Sequence, residues 1–260
     1  MQELLPISGR LPTQLKVKYG PVGLLGRFFL WADTAARDLG VTLSFASLQE
    51  LFELNRANSD TWRPLVPLFD EALGGVTREN AFVLIGRDKQ GEVVATQAAR
   101  IYDWPETSLK DEATSLRMFY ADPDAAFARG DRCEIIAPIA EKITGRVSFS
   151  GGIWYRRDFR GKHLGTILPR ISRAYAFTRC NSDFTIAMMA DAVIAGGLAE
   201  RAGYTKLEHS SIELVASPLG AMRCGLGWMK SDELLADLAA IMDRVAVPAI
   251  GSRVAENASH

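Results

Sequence analysis

The strongest constraint on how this chain can fold is the change of hydrophobic period between residues 81 and 215. Phe82-Val-Leu-Ile-Gly86 and Val93-Val-Ala-Thr-Gln-Ala-Ala-Arg-Ile101 read as strands, and the turn Asp88-Lys-Gln-Gly91 joins them as a hairpin. Val147-Ser-Phe-Ser-Gly-Gly-Ile-Trp-Tyr155 is a further strand, with glycines that permit a bulge. A helix is expected from about Leu164 to Thr178, a buried strand over Phe184–Met189, a helix over Asp191–Ala202 with Gly203 as its C-cap, and a strand over Lys206–Val215. The order β-β-insert-β-α-β-α-β calls for a sheet flanked by helices. The insert, 105–146, is too long for a simple hairpin connection and mixes a polar helical piece (Leu109–Tyr120) with breaks at Asp122-Pro123 and Gly130.

Upstream, residues 1–20 read as an irregular lead-in. Val22–Leu39 has helical spacing with Gly40 as C-cap, and Val41–Phe45 alternates like a short strand. Ser47-Leu-Gln-Glu50 is a capping box opening a second helix, and a helical piece broken by Pro64 and Pro67 ends near Gly74-Gly75. Downstream, Ser231–Val245 is amphipathic, and the tail after Pro248 reads as frayed. With 260 residues, 48% hydrophobic and 23% charged, the chain is long and apolar enough to bury a core. The odd count of three cysteines, Cys133, Cys180 and Cys224, argues against a disulfide scaffold and for a reducing, cytoplasmic setting. Three histidines and no CxxC pair argue against a metal site. A net charge of −1 gives no reason to expect nucleic-acid binding, and no apolar run reaches membrane-span length.

The segment that carries chemistry is Tyr155-Arg-Arg-Asp-Phe-Arg-Gly-Lys-His-Leu-Gly165-Thr166, between a strand and a helix. Gly161 and Gly165 let the backbone turn sharply and approach a ligand. The following helix points unpaired N–H groups and its positive dipole end at the loop, and Arg160, Lys162 and His163 add side-chain charge. Such a loop suits a pyrophosphate. It is not a P-loop, since Arg156 and His163 stand where that motif needs Gly and Ser or Thr, and no GxGxxG follows a strand. On spacing alone, a surface turn with solvated arginines is an equal reading.

Arg160-Gly-Lys-His-Leu-Gly165 resembles the acetyl-CoA signature (Arg/Gln)-x-x-Gly-x-(Gly/Ala) of the GNAT N-acyltransferase superfamily, and Leu198-Ala-Glu-Arg-Ala-Gly203-Tyr204 resembles its later helix-Gly-Phe segment. The resemblance covers roughly 81–215, with 41–80 as the family's first strand and helical pair. It implies an α/β (α+β) fold: a mixed, mostly antiparallel central sheet splayed at the fourth strand and flanked by helices. An amino-terminal helical extension (1–40), a GNAT-like acyltransferase domain (41–215) and a carboxy-terminal helix and tail (216–260) make up the chain on this reading. The insert lies between the third and fourth strands and, together with the amino-terminal helices, would shape the acceptor site.

The resemblance further implies acetyl-CoA or another acyl-CoA as co-substrate, held by Ile153, Tyr155, Arg156, Arg160, Gly161, Lys162, His163, Leu164, Gly165 and Thr166. The Tyr155 backbone N–H would be the oxyanion donor, and an amine-bearing acceptor would attack the thioester directly. No metal, nucleic acid or membrane is implied, and a homodimer stays open. His163 replaces the signature's first glycine, Ala199 stands where many members carry an acidic tyrosine, and the strand 147–155 lacks the general-base carboxylate of some members. Tyr204, Tyr175, Glu134 and the acids of 105–120 are the remaining acid or base candidates. The second reading is a non-catalytic acyl-CoA sensor or structural module on the same fold. The third is an unrelated α/β protein whose basic turn binds phosphate or nothing.

Overall fold

The structure, a computed structural model, describes residues 10–217 and 219–246. The first half of the lead-in and the tail after Pro248 lie outside the described residues. A 3-10 turn, Leu11–Gln14, precedes helix α1 (Val22–Asp38). The described part of the lead-in is tethered, because the buried carboxylate of Asp33 on α1 accepts from Arg10 Nε at 2.7 Å and Leu11 N at 3.3 Å. Leu25, Phe28, Phe29, Ala32 and Ala36 form the buried face of α1, and Gly40 at φ +79° leads out of it. Strand β1 is Thr42–Ala46 and helix α2 is Leu48–Ala57. The Ser47 hydroxyl caps α2 by accepting from Glu50 N at 3.0 Å; the Glu50 carboxylate is taken by Arg87 instead of completing the capping box. Pro67–Phe69 and helix α3 (Glu71–Gly74) follow, tied to the sheet by the buried Arg100, which donates to the Leu68 and Gly74 carbonyls at 2.8 and 2.9 Å.

Strands β2 (Ala81–Arg87) and β3 (Val93–Trp104) form the expected hairpin. The insert holds helices α4 (Leu109–Thr114) and α5 (Pro123–Ala128) and strand β4 (Arg132–Ile135). Then come β5 (Gly145–Tyr155), α6 (Leu164–Cys180), β6 (Phe184–Ala190), α7 (Asp191–Ala195), α8 (Leu198–Arg201), β7 (Lys206–Ala216), β8 (Gly220–Lys230) and α9 (Ser231–Ala246). One open eight-stranded sheet runs in the order β1-β2-β3-β5-β6-β8-β7-β4. Every pairing is antiparallel except β5 with β6. The fold class is therefore the mixed, mostly antiparallel sheet flanked by helices that the sequence implies.

Four local expectations change. The stretch 216–230, left outside the sheet by the sequence reading, contains β8, which lies between β6 and β7. The insert is partly sheet, because β4 pairs with β7 as an edge strand. The polar helix expected to reach Tyr120 stops at Thr114, where Leu116 adopts φ +61° and turns the chain. The helix expected over 191–202 is two short ones, divided where Gly197 takes φ +72°.

The two faces of the sheet carry separate cores. One packs α2, the 65–69 segment and the insert against Val83, Ala98, Phe149, Ile186 and Leu226. The other packs α1, α6 and α9 against Leu84, Val94, Ala187 and Met229. Leu234, Leu238, Ile241 and Met242 bury the apolar side of α9 in this second core, so the carboxy-terminal helix packs on its own chain. Among the described residues no helix is long and apolar enough to cross a membrane.

Candidate active site

Among the described residues the one parallel pairing is short. β5 and β6 are in register only from Val147↔Phe184 to Phe149↔Ile186, and beyond that point the strands part. From Ser150 to Tyr155 the edge of β5 facing β6 therefore has no strand partner. The other edge of β5 pairs with β3 through a bulge: Gly152 and Ile153 stand opposite the single residue Gln97. Gly152 takes φ +61°, and β3 satisfies the bulge carbonyls, Thr96 Oγ1 donating to Gly152 O at 2.8 Å and Gln97 Nε2 to Gly151 O at 3.0 Å. Arg156 donates its N–H to Val94 O at 2.9 Å. Strand alternation then turns the preceding N–H, that of Tyr155, toward the open edge.

A cleft of about 220 Å³ occupies the gap. Ser150, Gly151, Gly152 and Ile153 of β5 line one side and Ala187–Ala190 of β6 the other. It runs through the sheet, from Trp62–Val66 and Phe69 on one face to Pro169, Leu198, Ala202 and Tyr204 on the opposite face. Pro169 is the sixth residue of α6; lacking an N–H, it leaves the Gly165 carbonyl without its helical partner.

At the end of β5 the signature loop wraps onto the amino terminus of α6. Gly161 takes φ +77° and His163 φ +62°, so the histidine holds the left-handed backbone that the signature reserves for glycine. The N–H groups of residues 161–165 meet no acceptor among the described residues, whereas Thr166 N donates to His163 O at 2.9 Å. Thr166, placed among the ligands from sequence, thus spends its amide closing the first turn. The side chains are less free than the sequence implies. Arg156 is clamped by Asp88 at 2.8 Å and by Asp158 at 2.8 Å, and those ion pairs raise its pKa. Its guanidinium therefore braces the loop against the β2–β3 turn rather than facing outward. Arg160 Nε donates to Tyr155 O at 3.0 Å, and Lys162 Nζ lies 4.4 Å from the Phe159 ring centroid. Leu164 is core, and Gly165 packs so closely that a Cβ would meet Leu198 Cδ1 at 3.1 Å. The Tyr155 hydroxyl is buried without a partner, and burial pushes its pKa above the usual tyrosine range.

Of the acid and base candidates read from sequence, only Tyr204 lines the cleft. Tyr175 packs between Phe45 and Phe82 in another cluster. Glu134 sits on the edge strand β4, opposite Glu213 of β7. Asp111 caps α4, and Glu112 pairs with Arg117. The insert 105–146, expected to shape the acceptor site, lines none of the cleft; residues 62–66 do so instead, because the insert packs beside the β4 edge. From sequence, Trp62 offers no more than an apolar residue for packing. It stacks on Trp154 at 5.7 Å between ring centroids and also lines the cleft, a position that its proline-broken context gave no periodicity to reveal.

Below the cleft, Gly203 at φ +91° closes α8. A Cβ there would lie 2.5 Å from Arg170 Nη2 and 2.7 Å from Asp237 Oδ2. Arg170 donates Nε and Nη2 to Asp237 at 2.7 and 3.0 Å, and Nη1 to the Thr166 and Arg201 carbonyls at 2.9 and 2.5 Å. The fully buried Arg173 sits 4.7 Å from the Tyr204 ring centroid, and burial lowers its pKa. This network binds the loop-bearing helix, α8 and α9 together. Among the described residues no cluster of His, Cys, Asp and Glu is suited to a metal ion.

An open mixed sheet whose parallel pair parts over a bulged strand, with an amide-rich turn at the mouth, agrees with the fold that the resemblance implies. No family model matches the sequence, and no curated protein matches it. Among solved structures, the chain is similar to aminoglycoside acetyltransferase AAC(6')-Ib in complex with coenzyme A and kanamycin: TM-score 0.40, 15% identity, covering 74% of this chain and 96% of that one. It is also similar to spermidine N-acetyltransferase SpeG from Vibrio cholerae: TM-score 0.43, 11% identity, 76% and 97% covered. Arabidopsis thaliana NAA60 in complex with acetyl-CoA gives TM-score 0.42 at 11% identity, with 74% and 99% covered.

Proposed function

We propose that the protein is an acyl-CoA N-acyltransferase that moves an acyl group from acyl-CoA to an amine. The observation that carries the reading is the juxtaposition of three features at one place: the unpaired edge of the bulged β5, the gap beside β6, and the N–H groups of residues 161–165 at the mouth. The loop amides and the α6 dipole would take the pyrophosphate. Arg160 and Lys162 would add charge, with Arg156 holding the loop in shape from behind. The pantetheine arm would pair with the free edge of β5, near Ile153 and Tyr155, and fill the gap as a strand would.

The Tyr155 N–H would polarise the thioester carbonyl and hold the oxyanion as it forms. The amine nitrogen forms its bond to the carbonyl carbon, and the C–S bond then breaks. The amine loses a proton to solvent, and the CoA sulfur leaves as thiolate and takes up a proton. No nucleophile from the chain is required. Cys133 and Cys224 fit that absence of a role, since burial pushes their thiols up to about 12 and about 11.

The second reading, a non-catalytic acyl-CoA sensor, is favoured by two observations: among the described residues no carboxylate lines the cleft, and Ala199 occupies the place of the acidic tyrosine. Release of CoA thiol from acetyl-CoA over a panel of primary amines separates the two. Amine-dependent release supports the transferase. Tight CoA binding with no release on any amine supports the sensor, and absence of binding by any acyl-CoA contradicts both.

A further inference from the structure

We infer that the cleft takes a short acyl group and that the ring pair Phe69–Phe149 sets the limit on its length. The inference rests on the acyl-CoA reading given above. Phe149 is the last β5 residue still in register with β6, so it stands where the strands diverge, at the closed end of the gap. Phe69 meets it at 5.9 Å between centroids and an interplanar angle of 61°, and both rings are at most 2% exposed.

Both rings are held in place. Phe69 is delivered by the turn Pro67–Phe69, whose Leu68 carbonyl is gripped by Arg100 at 2.8 Å. Gly151 makes the seat: a Cβ there would lie 2.7 Å from Phe149 Cε1 and 3.0 Å from Phe69 Cε2, so only a residue without a side chain lets both rings close against the strand. An acyl chain pointing from the mouth to the closed end therefore runs into two immobilised aromatic rings.

The volume agrees with this stop. A cavity of about 150 Å³ holds one benzene-sized guest. The cleft, at about 220 Å³, must take the end of the pantetheine arm as well as the acyl group. At that volume the cleft has room for a small group beside the arm. The insert 105–146 does not border the cleft and supplies no extra length.

Removing one ring empties a benzene-sized space in line with the acyl group. Each methylene that enters it adds about a fourfold gain in affinity, about 0.8 kcal/mol at about 1.4 kcal/mol per factor of ten. The test is calorimetric titration of the full chain, as wild type, Phe69→Ala and Phe69→Leu, with acetyl-, butyryl-, hexanoyl- and octanoyl-CoA. The wild type is expected to bind acetyl-CoA at least tenfold more tightly than hexanoyl-CoA. Phe69→Ala is expected to shift the hexanoyl-to-acetyl affinity ratio at least tenfold toward the longer chain. Phe69→Leu, which conserves most of the core, is expected to shift it in the same direction by roughly two- to fivefold, and decides the question if the alanine variant does not fold. Equal wild-type affinity for acetyl- and hexanoyl-CoA, or an unchanged ratio in a folded Phe69 variant, overturns the length limit while leaving the acyl-CoA reading intact. Failure of the wild type to bind any of the four overturns that reading and the length limit with it.

Discussion

Replacing Gly203 by alanine should cost about 3–5 kcal/mol of folding stability, and the structure says where the cost arises. The backbone at φ +91° is open to glycine and costs an L-residue about 1–2 kcal/mol. The new methyl would also start 2.5 Å from Arg170 Nη2 and 2.7 Å from Asp237 Oδ2, so the ion pair must open. Arg170 and Asp237 are 6% and 18% exposed, and breaking a buried pair outright costs about 3–5 kcal/mol. Displacing it rather than deleting a partner should cost less, about 2–3 kcal/mol. The sum is a third or more of the total stability of a domain with about 10 kcal/mol. Urea denaturation followed by circular dichroism measures the loss. In an Asp237→Asn background the pair is already weakened, and the alanine should cost only the backbone part, about 1–2 kcal/mol. A loss below 1 kcal/mol in the wild-type background, or the same loss in both backgrounds, would refute the packing argument.

Other predictions follow from the same geometry. Gly165→Asp places a side chain against Leu198 and a negative charge at the mouth of α6, so acetyl-CoA affinity measured by calorimetry should fall at least tenfold in a folded variant; unchanged affinity contradicts the cradle. Iodoacetamide at pH 8 should modify the half-buried Cys180 well before Cys133 or Cys224, read by peptide mass spectrometry; equal labelling of the three in native protein contradicts the assignment. The raised thiols also fix a sign for stability against pH. Cys133 and Cys224 stay protonated in the folded chain while the unfolded chain ionises them near 9, so their contribution is full below pH 9 and is lost as pH rises toward 11–12. The fall in urea midpoint from pH 8 to pH 10 should be smaller in a Cys133→Ala, Cys224→Ala variant than in the wild type.

Strong periods were legible in the sequence wherever one face of an element alone met the core. Helix α1, with its five large or small apolar residues on one side, was placed within a residue of its end, and the hairpin and the bulged β5 were placed to within two or three residues. Strand β8 was hidden because its neighbours lie too close for side chains. A Cβ on Gly225 would lie 2.6 Å from Ile194 Cδ1 and one on Gly227 would collide with Met189 Cε, so glycines replace the β-branched residues that signal a strand. Strand β4 was hidden by its length of four residues and by alternating burial that resembles a polar loop. The helix split at Gly197 needed the positive φ to be seen.

At the site, the order of loop and helix was readable. The charge was not: seven basic residues lie in 156–173, and Arg156, Arg170 and Arg173 turn inward to carboxylates, carbonyls and a ring. Long-range partners such as Asp88 and Asp237 lie 68 and 67 residues away in sequence, and no local pattern points to them.

On the proposed reading, acyl-CoA lies with its pyrophosphate on the 161–165 amides and its arm along the free edge of β5. Amide hydrogen exchange with and without acetyl-CoA tests it most directly, since these are the N–H groups that meet no acceptor in the free chain. New protection is expected at residues 161–165 and 151–155. Protection confined to other segments, or none at saturating acetyl-CoA, would contradict it.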